Sequence, residues 1–143
     1  MSLADLWFVL FVAIIGAYIV LDGFDLGVGM LHPLAAKEDR ERRIVLNSIG
    51  PIWDGNEVWL VVGGGVLFAA FPVVYAAMFS GFYWALMFVL IALILRTVAI
   101  EFRGKRESSR WRALWDSVFS AASFGLAMLL GVAFGNVVTG VPL

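Results

Sequence analysis

Long apolar stretches alternate with short basic islands along this chain. Four stretches reach the length of about 20 residues that a helix needs to cross a hydrocarbon core of about 30 Å. They are Leu3 to Leu31, Pro51 to Phe71, Tyr75 to Phe102 and Leu114 to Val138. Helices are expected because every backbone polar group in hydrocarbon must be satisfied within its own segment. The pattern therefore predicts an all-α, polytopic membrane helix bundle with four transmembrane helices.

The basic residues predict how these helices are oriented. All ten Lys and Arg residues except Arg96 fall in two islands, Lys37 to Arg43 and Arg103 to Arg112. Cytoplasmic connections are enriched in Lys and Arg, so both islands are predicted to be loops on the cytoplasmic side of a bacterial inner membrane. Both termini would then face outward. Aromatic residues fall where interfacial belts are expected, at Trp111, Trp115, Phe71, Tyr75, Phe79 and Tyr83.

Composition excludes several classes of function. The formal net charge is −1 and 62% of the residues are hydrophobic, so a nucleic acid would find no basic surface to bind. Cysteine is missing from the sequence, which excludes disulfides, thiolate chemistry, iron–sulfur ligation and covalent haem attachment. The first apolar stretch is too long for a signal peptide and no Lys or Arg precedes it. We expect a single transmembrane domain over residues 1–143.

Polar residues inside predicted spans are the main candidates for function, because ionisable groups are costly in a membrane. The first span carries Asp22 and Asp25 on one face, the second begins with Asp54, Asn56 and Glu57, and the third carries Arg96. The topology gathers all of them in the cytoplasmic half. Four carboxylates against one guanidinium would leave a charge of about −3, so some must be protonated or paired elsewhere. The sequence thus predicts a proton-uptake path from the cytoplasm.

Three of these residues also have a simpler explanation. Asp54 and Glu57 follow Pro51, a favourable first residue of a helix, and could complement the positive end of the helix dipole. Arg96 could lock the third span to the first through an ion pair with Asp25.

Histidine and glycine residues suggest two further roles. His32, the single histidine, could ligate a haem, although hydrogen bonding at the interface is the commoner role for such a residue. Gly23 and Gly27 form a small-xxx-small pattern beside the aspartates and predict a surface of close helix packing.

Four sequence blocks together resemble those of a known family. They are LDGFDLGVG at residues 21–29, IGPIWDGNEVWL at 49–60, FSGFY at 79–83 and VAFGN at 132–136. In content and order they are similar to blocks in subunit II of the cytochrome bd-type quinol oxidases. Subunit II of that family has about eight helices, so the chain resembles its N-terminal half.

The resemblance implies a role within a larger enzyme. Subunit I of such an oxidase ligates two b-type haems and one d-type haem, oxidises quinol and reduces oxygen to water, and it would be the partner of this chain in the lipid bilayer. Subunit II has no redox centre, which implies that this chain binds no cofactor or metal itself.

Site residues follow from the same resemblance. The family associates the aspartate of the WDGNE block with a proton path from the cytoplasm, and that position is Asp54 here. The candidate proton-path residues are Asp54, Glu57 and Asp25, supported by Trp53, Asn56, Asp22 and Arg96.

Two other functions compete with this interpretation. A small proton-coupled transporter or channel would also need carboxylates on facing helices. Its polar residues should continue to the outer half, where the sequence offers little beyond Asp5 and Asn136. A purely structural assembly subunit would instead tolerate Asp54→Asn and be sensitive to changes at Gly23 and Gly27.

Overall fold

A computed structural model describes residues 2 to 140 of the chain, and this part contains helices and no strand. The helices are α1 (Leu3–Ala35), α2 (Asp39–Ile49), α3 (Trp53–Ala70), α4 (Pro72–Gly81), α5 (Tyr83–Phe102) and α6 (Ser109–Thr139), with a 3₁₀ turn at Arg103–Lys105 after α5. Three helical segments are long and apolar enough to cross a membrane: Leu3–Ala35, Tyr83–Lys105 and Ser109–Thr139. The predicted all-α class is confirmed for the described residues.

Helix α1 lies at the centre of the bundle. It packs against α3 on one side and α6 on the other, and α6 packs in turn against α5. One core lies where α1, α5 and α6 meet, and its buried members are Leu26, Val89, Ala92, Leu93 and Leu126. A second core ties α2 to the ends of α5 and α6 through Leu46, Ile49, Ala99 and Phe119. Burial of these side chains therefore joins helices that are distant in sequence.

The first basic island is a helix rather than a loop, which corrects the sequence prediction. Helix α2 buries Leu46 and Ile49 and exposes most of its charged residues, so it is amphipathic. Its first turn is stabilised by the carboxylate of Glu41, which accepts hydrogen bonds from the backbone N–H groups of Glu38 (3.0 Å) and Lys37 (2.8 Å). These two bonds lower the pKa of Glu41 below its ordinary value.

The predicted third span, Tyr75 to Phe102, is wrong at its start. The chain leaves helical geometry at Phe82 (φ −103°, ψ 23°), which separates α4 from α5. Phe71 alone separates α3 from α4, and Pro72 begins α4 because proline is favoured at the first position of a helix. Average hydropathy does not locate the break at Phe82, although the Ser80-Gly81 pair just before it is a local turn signal.

The predicted packing surface at Gly23 and Gly27 makes no contact within the described chain. A methyl group added at either position would meet no heavy atom within 4 Å. Close packing occurs at two other glycines instead. A methyl group at Gly29 would overlap the side chain of Ser123 on α6, and one at Gly63 would lie 2.5 Å from Cδ1 of Ile15. Gly29 and Gly63 are therefore the positions that let helices approach α1.

Candidate functional site

Arg96 of α5 lies at the centre of a buried polar cluster formed by three helices. Its Nη2 atom is 2.8 Å from Oδ1 of Asp22 and 3.8 Å from Oδ2 of Asp25, both on α1. Its Nη1 atom is 3.6 Å from Oε2 of Glu57 on α3. The side chains of Arg96, Asp22 and Asp25 are fully buried, whereas that of Glu57 is 20% exposed. The structure thus brings together the polar residues that the topology predicted would meet.

The closest partner of Arg96 differs from the expected one. The sequence suggested an ion pair with Asp25, but Asp22 is the nearer carboxylate by 1.0 Å, the difference between 3.8 and 2.8 Å. Asp25 takes a different partner, because Nδ2 of Asn56 donates a hydrogen bond of 2.8 Å to its Oδ2 atom. The two aspartates share one face of α1, yet one is held by a guanidinium and the other by an amide.

Asp54 and Trp53 lie at the entrance to this cluster rather than within it. Both belong to the first turn of α3; Asp54 is exposed and Trp53 is half-buried. Asp54 makes no hydrogen bond or ion pair with another residue of the described range. A carboxylate at this position also complements the positive end of the α3 dipole. Along α3, exposure falls from Asp54 to Glu57.

Many polar atoms of the cluster lack hydrogen-bond partners within residues 2 to 140. They are the hydroxyl of Tyr18, both carboxylate oxygens of Asp22, Oδ1 of Asp25, Oε2 of Glu57, and all three guanidinium nitrogens of Arg96. The contacts of Arg96 are therefore charge–charge contacts without hydrogen-bond geometry. Buried polar atoms are almost always hydrogen-bonded to protein or to ordered water. The atoms named above are therefore able to form hydrogen bonds with water molecules inside the cluster.

Sequence reasoning missed a second buried cluster, which is centred on Asp116 of α6. Its Oδ1 atom is 2.8 Å from Nε2 of His32 and its Oδ2 atom accepts a 2.9 Å hydrogen bond from Nη1 of Arg42. Arg103 donates two further hydrogen bonds to the same carboxylate. The pair Trp115-Asp116, which repeats the pair Trp53-Asp54, was the one signal in the sequence that could have drawn attention to this aspartate.

This second cluster joins the two basic islands. Arg103 and Arg112 donate hydrogen bonds of 2.9 Å each to the carboxylate of Asp39 at the start of α2. The two basic islands therefore lie at the same end of the bundle. This is the arrangement expected if both islands are on the same side of the membrane. The network fixes α2 against α1 and α6 at that end.

His32, the residue considered above as a haem ligand, is held within the Asp116 cluster. His32 is fully buried, with Nε2 on Asp116 and its ring edge-on to Phe119 at a centroid distance of 5.6 Å. The role that the structure gives it is the hydrogen-bonding one. Among the described residues no group of three or more His, Cys, Asp or Glu side chains is arranged to hold a metal ion. The single histidine of the sequence is therefore part of the Asp116 cluster.

Comparison with known proteins identifies the family. The family model for cytochrome bd terminal oxidase subunit II matches residues 3–143. The chain belongs to this family. Members with curated names include cytochrome bd-I ubiquinol oxidase subunit 2 of Escherichia coli K12, 50% identical over 137 residues, and cytochrome bd ubiquinol oxidase subunit 2 of Bacillus subtilis 168, 46% identical over 142 residues. A probable cytochrome oxidase subunit 2 of Haemophilus influenzae is likewise 50% identical over 137 residues. The resemblance predicted from the sequence is confirmed.

The chain spans only part of its relatives. The matches cover 96% of this chain but 36% of the Escherichia coli protein, and 99% of this chain but 42% of the Bacillus subtilis protein. Both polar clusters lie inside the matched region, because the family match extends from residue 3 to residue 143. Membership and the long apolar helices make this a membrane protein of a respiratory oxidase family.

Proposed function

We propose that this chain is a haem-free subunit of a cytochrome bd-type quinol:oxygen oxidoreductase. In this role it packs against the haem-bearing subunit I and supplies a proton-uptake path for the reduction of oxygen to water. The enzyme's haems b and d belong to the partner, and quinol is the substrate of the whole complex. Family membership supports the subunit assignment, and the polar cluster around Arg96 supports the path.

The observation that carries the proton path is the decrease in exposure from Asp54 to Asp25. Asp54 is exposed, Glu57 lies one turn further along α3 with 20% exposure, and Asp25 is fully buried. Asn56, between the two acidic residues of α3, donates its hydrogen bond to Asp25 across the helix interface. Acidic groups arranged from surface to core can take up a proton from water and transfer it inward.

Charge balance explains why the inner carboxylates could carry protons. Three carboxylates, those of Asp22, Asp25 and Glu57, surround the single guanidinium of Arg96. A buried unpaired ion costs several kcal/mol, about the cost that a bound proton removes. Proton binding to one of these groups therefore brings the cluster closer to neutrality. The partnerless oxygen atoms of the cluster provide sites for water that would link the carboxylates.

The proposed orientation places the entrance of the path in the cytoplasm. Both basic islands lie at one end of the bundle, where Asp39 binds Arg103 and Arg112. Helix α2 ends at Ile49 and α3 begins shortly afterwards at Trp53, so Asp54 is proposed to lie on the membrane side that carries α2. With Lys and Arg on the cytoplasmic side, the chain would cross a bacterial inner membrane four times, by α1, α3, α5 and α6, with both termini outside.

The experiment that tests this function uses co-expression with a haem-bearing subunit I of this family. The tagged chain is purified from membranes, and the reduced-minus-oxidised spectrum and quinol-driven oxygen uptake are recorded. We expect haem b and haem d to copurify with the tag and to support oxygen uptake. A colourless chain that purifies alone would contradict the subunit assignment, and proton movement in liposomes would then test the transporter alternative.

The proton path is tested in the same complex by Asp54→Asn. We expect oxygen uptake to fall by roughly tenfold or more, as for loss of a group that transfers protons, with the haem spectrum unchanged. Glu107→Gln is the matched control, because Glu107 is another exposed carboxylate at the same end of the bundle. Unchanged turnover in Asp54→Asn would overturn the proton path and leave the structural assembly role.

A further inference from the structure

An apolar groove runs between α5 and α6 on the outer surface of the bundle. Its volume is about 380 Å³, within the range of small-molecule and cofactor sites. The lining residues are all apolar: Phe88, Ile91, Ala92 and Leu95 on α5, and Val118, Ala121, Ala122 and Leu129 on α6. Such a groove is shaped for a flexible hydrocarbon chain rather than for a polar ligand.

Three aromatic residues pack together on the same two helices, beyond the groove toward the second basic island. The ring of Trp115 lies 5.8 Å from that of Phe102 on α5 and 5.6 Å from that of Trp111 on α6. Trp111 donates a 2.8 Å hydrogen bond from Nε1 to the backbone carbonyl of Phe102, which ties the two helices together. Nε1 of Trp115 is buried and has no acceptor within the described chain.

Cations without carboxylate partners surround this aromatic cluster. The guanidinium of Arg106 lies over the ring of Trp111, 4.8 Å from its centroid. Arg110 is exposed and is 11 residues, about three helical turns, before Ala121, so both lie on the same side of α6. Neither arginine forms an ion pair with any of residues 2 to 140. The exposed carboxylates nearby in sequence are Glu101 and Glu107.

We propose that this groove binds an anionic phospholipid, with an acyl chain between α5 and α6 and its phosphate at Arg106 and Arg110. The site combines the two chemistries of such a lipid, since the apolar groove lies between two helices, and Arg106 in their connection and Arg110 in the first turn of α6 supply the cations. Tryptophan is favoured at the level of lipid headgroups, and Trp111 stands beside Arg106 and Arg110 at that level of the two helices.

Charge also argues against a second copy of the chain in this groove. Copies inserted in one membrane share their orientation, so a symmetric contact along α5 and α6 would bring Arg106 and Arg110 of both copies together. Like charges at a common interface oppose association. An anionic headgroup instead gains from the same two cations, at a membrane surface where the cytoplasmic leaflet is itself anionic.

The test compares two lipids that have identical acyl chains. The chain is purified in mild detergent, and phosphatidylglycerol or phosphatidylcholine is titrated while bound lipids are counted by native mass spectrometry. We expect the chain to bind phosphatidylglycerol more tightly. The double variant R106Q/R110Q should lose roughly 10- to 30-fold in affinity for phosphatidylglycerol and keep its affinity for phosphatidylcholine.

Two further variants distinguish the contribution of the lipid headgroup to binding from that of the apolar groove. Arg40→Gln removes an exposed cation from α2 at the same end of the bundle and should leave the preference intact. Ala121→Phe fills the groove and should weaken binding of both lipids, while helicity by circular dichroism stays unchanged. Any of three results would overturn the proposal. The unsubstituted chain could bind the two lipids equally, R106Q/R110Q could keep the preference for phosphatidylglycerol, or Ala121→Phe could bind both lipids as tightly as the unsubstituted chain. Competition by free glycerol phosphate would show that the phosphate alone is recognised and would overturn the acyl-chain site.

Discussion

Arg96 is paired with Asp22 rather than with Asp25. The distance from Nη2 of Arg96 is 2.8 Å to the first carboxylate and 3.8 Å to the second. Asp25 receives its hydrogen bond from Asn56 instead. Two aspartates that lie on the same face of one helix therefore have different nearest partners, a guanidinium for Asp22 and a neutral amide for Asp25. In the proposed path, Asp22 is the compensated carboxylate and Asp25 the one free to gain or lose a proton.

Removing the buried guanidinium should damage the bundle more than removing one of its carboxylates. Arg96→Gln leaves Asp22, Asp25 and Glu57 without a cation, and breaking a buried ion pair in this way costs about 3–5 kcal/mol. Asp22→Asn should cost less, because Arg96 keeps two carboxylates nearby. Chemical unfolding in detergent micelles, followed by circular dichroism, compares the variants. Equal losses of unfolding free energy in the two variants would show that Arg96 stabilises the bundle through Asp22 alone.

Asn56→Leu should separate proton delivery from assembly. The substitution removes the donor that holds Asp25 and favours the helical conformation of α3. We expect haem content of the assembled oxidase to be kept and oxygen uptake to fall severalfold. Asn47→Leu on α2, an exposed amide, is the control. A normal rate in Asn56→Leu would remove Asn56 from the supporting residues of the path.

Asp116→Asn should loosen the basic end of the bundle. The change weakens the hydrogen bonds from Arg42 and Arg103 and leaves Arg42 without a carboxylate, while Arg103 keeps Asp39, so a loss of about 3 kcal/mol in unfolding free energy is expected. Asp39→Asn is the comparison, because Asp39 is 43% exposed and surface ion pairs contribute about 1 kcal/mol or less. A similar loss for both variants would contradict a special role for the buried carboxylate.

Glycine substitutions should distinguish packing inside the chain from packing against a partner. Gly29→Ala forces a methyl group onto Ser123, and overpacking of this kind costs about 1–3 kcal/mol. Gly23→Ala meets no atom of the described chain, so the unfolding free energy should be unchanged or slightly higher. Copurification with subunit I then reports on the partner. A lower yield with Gly23→Ala alone would place Gly23 at the subunit contact, whereas destabilisation of the isolated chain would contradict the open space around it.

The polar cluster could be predicted because topology determined it. Asp22 comes late in one apolar stretch, Glu57 comes early in the next and Arg96 comes late in the third, and antiparallel helices place those positions at one membrane side. The order of partners could not be predicted in this way. A difference of 1.0 Å between Asp22 and Asp25 depends on the rotation of α5 against α1, which the shared helical face of the two aspartates does not reveal.

The Asp116 cluster and the break at Phe82 were missed for related reasons. Asp116 stands one residue after an interfacial tryptophan, and its partners His32, Arg42 and Arg103 come from three distant parts of the chain. Hydropathy along a single segment contains no information about such partners. Phe82 follows the pair Ser80-Gly81 inside a segment of high average hydropathy, so a search for long apolar segments passes over this local turn signal.

Arg96 lies on α5 and contacts acidic side chains of α1 and α3. A substitution at this one position therefore changes the charge balance among three helices. A lineage that loses Arg96 before its acidic partners passes through an intermediate with three carboxylates and no cation in the cluster. The cluster should therefore be inherited or replaced as a unit. Surveys of natural sequences can look for this all-or-none pattern, which gradual substitution at independent sites would not produce.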